Sequence, residues 1–171
     1  PEVGFSVLNH KEACALAVEN NINVTLHADW EVPEGIKEVV LDSKAKRVGH
    51  GSQIINDVSF ENGAITFNND AAKYVFDNRV ALEICPTSNV QCGAYSNVSE
   101  HSFGELYNAG FNVTINTDNR LMSDITMSEE VSNVVESFGL DEKDILNITK
   151  NTIDAGFVGQ KLKNKALEKL F

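Results

Sequence analysis

The sequence predicts an α/β fold built on parallel strands. Two observations carry this expectation. Short β-branched runs alternate with stretches of helical periodicity, which is the pattern of successive βα units. Three of the runs also stop at a motif rich in chemistry: His27-Ala28-Asp29 after NVTL, Arg47-Val48-Gly49-His50-Gly51, and Asn116-Thr117-Asp118-Asn119 after NVTI. A polar group at the last residue of a buried strand is presented at the strand's carboxyl edge, where α/β proteins hold their ligands.

The elements follow in order. Residues 9 to 21 carry apolar groups at helical spacing behind Asn9, a candidate N-cap. Residues 23 to 28 form a β-branched run and read as a strand. Residues 33 to 43 place Pro33 at a helix start. Residues 46 to 51 read as a short strand ending in glycines, and 57 to 67 and 69 to 78 as helical or helical-loop segments. Residues 80 to 86 form an apolar strand closed by Pro86, and residues 87 to 100 a long polar loop. A helix over 101 to 110 stops at Gly110, and residues 111 to 117 give the fourth strand. The remainder reads as helix with a Lys-rich tail.

Four strands do not close an eight-stranded barrel, which needs about 250 residues. The choice is an open α/β sheet or half of a barrel. No glycine-rich phosphate loop is present, which counts against a flavodoxin-like nucleotide module.

Composition narrows the function classes. The chain has 171 residues, with 42% hydrophobic and 23% charged residues and a net charge of -11. That charge disfavours nucleic acid and anionic membranes as partners. No apolar run approaches the roughly 18 residues of a membrane span. Residues 1 to 15 lack the basic start and apolar core of a signal peptide. Cys14, Cys85 and Cys92 are odd in number and widely spaced, which suggests a reducing, cytoplasmic setting without disulfides. Cys85 and Cys92 have the wrong spacing for a zinc-binding Cys-x-x-Cys, and Cys85 reads as a buried small hydrophobe.

His27, His50 and Asp118 are the candidates for chemistry. Each has an ordinary alternative: a hydrogen-bonded strand end for His27, a tight turn around His50, an Asx turn or N-cap at Asp118-Asn119. The glycines beside His50 allow a sharp turn and a close approach. Two imidazoles and a carboxylate converging on one face would suit Zn²⁺ with an open position for water.

The pieces HA at 27–28, KRVGHG at 46–51, LEICPTSNVQCGA at 82–94 and NVTINTDNRLMS at 112–123, in this order and spacing, resemble the adenosine deaminase family. The resemblance runs from about Glu2 to the end. It implies that residues 1–171 form one domain, the carboxyl-terminal half of a (βα)8 barrel, with strands five to eight and added C-terminal helices. It implies zinc as cofactor, with His27 and Asp118 as ligands and His50 orienting the attacking water. Asn119 would contact purine N7, and Ser88 and Asn89 are assigned to loop architecture.

The implied reaction is hydrolytic deamination of adenosine or deoxyadenosine. The alternatives are an adenine deaminase and a non-catalytic, degenerate half-barrel that serves as a binding module. Two departures bear on this. The chain has four histidines, His10, His27, His50 and His101, and no His-x-His to supply two further zinc ligands. It also has Trp30 where the family's His-Ala-Gly-Glu places its general acid, so Asp29 or Glu31 is the candidate carboxyl. The isolated chain is therefore expected to hold little zinc and to be inactive. A half-barrel with two open edges and apolar inner faces is expected to pair with a complementary amino-terminal half or with itself.

Overall fold

A computed structural model describes residues 2–28, 31–61 and 64–170. Four strands form a parallel sheet in the order β1 (Thr25–Ala28), β2 (Arg47–His50), β5 (Ala81–Ile84), β6 (Val113–Ile115). Register is continuous across it: His27 lies beside Gly49, Gly49 beside Glu83, and Glu83 beside Thr114. Strands β3 (Val58–Glu61) and β4 (Ala64–Phe67) make a separate antiparallel pair.

The chain enters through a short turn over Val7–His10, capped by Ser6, whose Oγ accepts from Leu8 N and donates to Glu38 Oε2. Helix α1 (Lys11–Glu19) follows directly. Asn9 therefore does not cap α1: His10 stands at its N-cap position without a side-chain cap, and Ser6 caps the turn before it. Pro33 precedes its helix by a turn: α2 (Gly35–Lys37) starts after Glu34 and runs into a wider turn over Glu38–Asp42. That segment buries Ile36, Val39 and Val40.

The expected helix over 57 to 67 is instead the β3–β4 hairpin. Val58 and Phe60 pair with Phe67 and Ile65, an alternation of period two. Asn62-Gly63 between them, outside the described residues, is a pair that hairpin turns favour. Helix α3 (Asp70–Asp77) is capped by Asn69, whose Oδ1 accepts from Ala72 N at 2.9 Å. The expected long loop is largely ordered. Pro86 opens α4 (Pro86–Gln91) at its first turn, where a missing N–H costs nothing.

Helix α5 (Phe103–Asn108) leads through Gly110 to β6, and α6 (Arg120–Ser123) follows, capped by Asn119. Helices α7 (Met127–Phe138) and α8 (Glu142–Ala155) each start with a capping box, Thr126 with Glu129 and Asp141 with Asp144. Helix α9 (Gln160–Leu167) is the last element among the described residues.

The core lies on one side of the sheet. Ala28, Val48, Leu82 and Ile84 pack there with Ile36, Val39, Val75, Phe103, Leu106, Val134 and Ile148. The opposite face carries Thr25, His27, Arg47, Gly49, Glu83 and Thr114. This corrects the expectation of an apolar inner face. Glu83 ties three strands together, accepting from Thr25 Oγ1 at 2.6 Å and pairing with Arg47 Nε at 3.0 Å. Among the described residues, no helix is long and apolar enough to cross a membrane.

Candidate active site

His27, His50 and Asp118 come together at the carboxyl end of the sheet. The His27 and His50 rings meet edge-on, with centroids 4.9 Å apart. His50 Nε2 lies 3.6 Å from Asp118 Oδ2. All three line a groove of about 320 Å³ together with Glu83, Cys85 and Asn116. The strands that carry them are not all neighbours: β5 lies between β2 and β6, and His50 and Asp118 meet across its carboxyl end.

Local backbone explains why the sequence places these groups. His50 and Asp118 both adopt left-handed conformations, φ 58° and φ 55°. Such strain, about 1–3 kcal/mol for a non-glycine residue, concentrates at ligand and catalytic sites. Gly49 lets β1 approach, since a Cβ there would lie 3.2 Å from His27 Cα. Gly51, at φ 71°, turns the chain under the groove, and a Cβ would meet Val48 Cγ1 at 2.9 Å.

Helix α4 supports both polar partners. Ser88 Oγ donates to Asp118 Oδ2 at 2.7 Å, and Asn89 Nδ2 lies 3.1 Å from His50 Nδ1. Ser88 and Asn89 thus belong to the site, contrary to their assignment to loop architecture. The sequence signal for this helix is Pro86, since proline after a strand's end favours the first turn of a helix. His101, on the far side of Asn89, is buried, with Nε2 at 3.1 Å from Asn89 Oδ1 and Nδ1 accepting from Phe103 N at 2.9 Å. Burial, followed by the nearby His50 charge, lowers its pKa to about 4. Cys85 is a buried thiol pushed up to about 12, by burial first and the Asp118 charge second. A thiol so disfavoured as thiolate is a poor nucleophile near neutrality.

Asn119 caps α6, its Oδ1 accepting from Leu121 N and Met122 N. The side-chain oxygen is therefore committed, and the amide NH₂ is the end it can offer a ligand. Of the two candidate acids, Asp29 lies outside the described residues, as does Trp30, and Glu31 is exposed. Among the described residues no group of three His, Cys, Asp or Glu side chains is placed to hold a metal ion. His27 and Asp118 have the donor chemistry zinc prefers, imidazole and carboxylate, but they make only part of a site.

The family model for adenosine deaminase matches residues 1–171. The chain belongs to the adenosine deaminase family. An adenosine deaminase of Mycobacterium sp. (strain JLS) is 39% identical over 160 residues, covering 92% of this chain and 44% of the relative. The chain therefore spans less than half the length of the curated relatives it matches. Among solved structures, an adenine deaminase from Arthrobacter aurescens superposes with a TM-score of 0.87 at 22% identity, over 99% of this chain and 49% of that one. A zinc-bound amidohydrolase from Burkholderia ambifaria gives 0.74 at 19% identity, over 94% and 44%. These likenesses identify the four parallel strands as half of a deaminase barrel.

Proposed function

We propose that this chain supplies the carboxyl-terminal half of a zinc-dependent aminohydrolase that converts adenosine or deoxyadenosine to inosine or deoxyinosine, in the cytoplasm. The observation that carries this reading is the convergence of His27, His50 and Asp118 on one groove at the sheet's carboxyl edge. The zinc-bound amidohydrolase of similar fold and the adenosine deaminases of related sequence support it.

His27 and Asp118 would hold the metal together with donors from a complementary amino-terminal half. Zinc, when bound, lowers the pKa of water so that hydroxide is available near neutral pH. His50 hydrogen-bonds the attacking oxygen and aims it at purine C6. The Asn119 amide donates to N7. As oxygen adds at C6, N1 takes a proton from a carboxyl group. The C6–N6 bond then breaks, so that nucleoside and water become the 6-oxo product and ammonia. Asp29 or Glu31 is the available carboxyl source on this chain. Three free cysteines, Cys14, Cys85 and Cys92, fit a reducing compartment.

The test mixes the chain with a separately produced amino-terminal half of a related adenosine deaminase. Zinc content and the absorbance change from adenosine to inosine are then followed. The expected result is zinc uptake with weak turnover in the mixture and neither in the chain alone. Replacing Asp29-Trp30 by Gly-Glu should raise turnover by about 10²- to 10⁴-fold, the usual worth of general acid catalysis. A stable mixed complex that takes up no zinc would favour the reading as a non-catalytic binding module. Turnover of adenine without adenosine would move the substrate to the free base.

A further inference from the structure

We propose that Asn89, anchored by His101, is a positioning residue that fixes His50 as the tautomer protonated on Nε2. The amide's donor end meets His50 Nδ1 at 3.1 Å, and its acceptor end meets His101 Nε2 at 3.1 Å.

The direction of every bond in this chain is set by one group that cannot be reversed. The Phe103 backbone N–H donates to His101 Nδ1 at 2.9 Å. A main-chain amide nitrogen is only ever a donor, so His101 Nδ1 is an acceptor and bears no proton. The neutral ring then carries its proton on Nε2. That N–H needs an acceptor, so Asn89 turns Oδ1 toward it. Nδ2 is left facing His50, and His50 Nδ1 accepts. The remaining His50 proton sits on Nε2, directed at Asp118 and the groove. The opposite amide orientation fails, because Asn89 Nδ2 would donate to His101 Nε2 and drive the His101 proton onto Nδ1, against the Phe103 N–H. Two N–H groups would then face each other in a buried site.

The anchor is rigid. His101 and Asn89 are 3% and 4% exposed. Tyr95 packs on the His101 ring with centroids 4.0 Å apart, and its hydroxyl bonds Ser102 Oγ at 2.8 Å. Ser102 Oγ in turn donates to Ser52 O at 3.1 Å, so the Tyr95 hydroxyl is the donor. Burial keeps the His101 imidazole neutral at ordinary pH.

The tautomer follows from the hydrogen bonds alone, and its use in orienting water rests on the function proposed above. The test therefore reads the tautomer and not turnover. The chain is labelled with ¹⁵N in its histidine rings, and long-range ¹H–¹⁵N spectra at neutral pH report which ring nitrogen bears the proton. The expected His50 pattern is a protonated, pyrrole-like Nε2 and an unprotonated, pyridine-like Nδ1, with the same pattern in His101. Asn89→Asp offers His50 Nδ1 only acceptors, so its Nδ1 signal should move to the protonated position. His101→Phe keeps ring shape but removes the anchor, and His50 should become a mixture of tautomers. His50 protonated on Nδ1 in the unsubstituted chain overturns the proposal without any variant. An unchanged His50 signal in either folded variant overturns it as well. A loss of deaminase activity in an assembled enzyme with the tautomer intact would count against the catalytic reading and leave the relay standing.

Discussion

His101 carries a measurable pH signature at the scale of a single residue. Its pKa falls from 6.5 to about 4 on folding because burial disfavours the cation. A lowered folded pKa means that the unfolded chain binds the extra proton first. The stabilisation is thus complete above about pH 6.5 and is lost as pH falls toward 4, amounting to about 3 kcal/mol. Urea unfolding of the parent chain and His101→Phe between pH 4 and 7 should show a steeper acid slope in the parent. Parallel slopes would refute it. The cysteines make a second case. Cys92 is exposed, whereas Cys14 and Cys85 are buried and Cys85 is pushed up to about 12. Iodoacetamide at neutral pH should modify Cys92 alone until denaturant is added, as peptide mass mapping would reveal. Gly51→Ala combines left-handed backbone with a 2.9 Å clash against Val48, and should cost about 2–5 kcal/mol in unfolding free energy. At this scale the sequence showed His27, His50 and Asp118, because a polar group ending a β-branched run stands out. It did not show Asn89 or His101, because their roles depend on a helix turning them toward each other.

The elements divide by how much of their structure is local. The strands 25–28, 47–50, 81–84 and 113–115 are legible because short stretches holding Leu26, Val48, Leu82 and Val113 alternate with stretches of helical spacing. The hairpin over 58–67 is less legible, because its strands are short and only the alternation of Val58 with Phe60 and of Ile65 with Phe67 marks them. Helix α4 was missed because TSNVQ is polar, and its order comes from Pro86 and from bonds to Asp118, His50 and Glu130. Caps are the local devices most open to test. Thr126 accepts from Glu129 N, and Asp141 accepts from Asp144 N. Thr126→Ala and Asp141→Ala should each lower stability by about 1 kcal/mol and should add, since they start different helices. Urea midpoints of the two single variants and the double variant measure this. A double variant no worse than either single one would show that the two helix starts do not act independently.

At the scale of the whole molecule, one sheet gathers His27, His50 and Asp118 along one groove. Strands β1 and β6 end the sheet, and its carboxyl edge gathers an imidazole and a carboxylate, His27 and Asp118. The parallel order was legible from strand and helix alternation, whereas the character of the inner face was not. Side chains alternate along a strand, and only register shows that Thr25, Arg47, Glu83 and Thr114 share a face with His27. We propose that a complementary amino-terminal half covers both sheet ends. Sedimentation should then give a one-to-one complex when the two halves are mixed, and the chain's own self-association should fall in that mixture. Persistence of a homodimer with no mixed species would point to a second copy as the partner.

The ion-paired Glu83 and Arg47 face has a practical consequence. The Arg47 and Glu83 side chains compensate each other's charge at 3.0 Å, so the face they share offers an approaching surface a paired ion and not a bare apolar patch. If the function proposed above holds, the chain would serve as one piece of a split reporter whose signal counts encounters between the two proteins that the pieces are fused to.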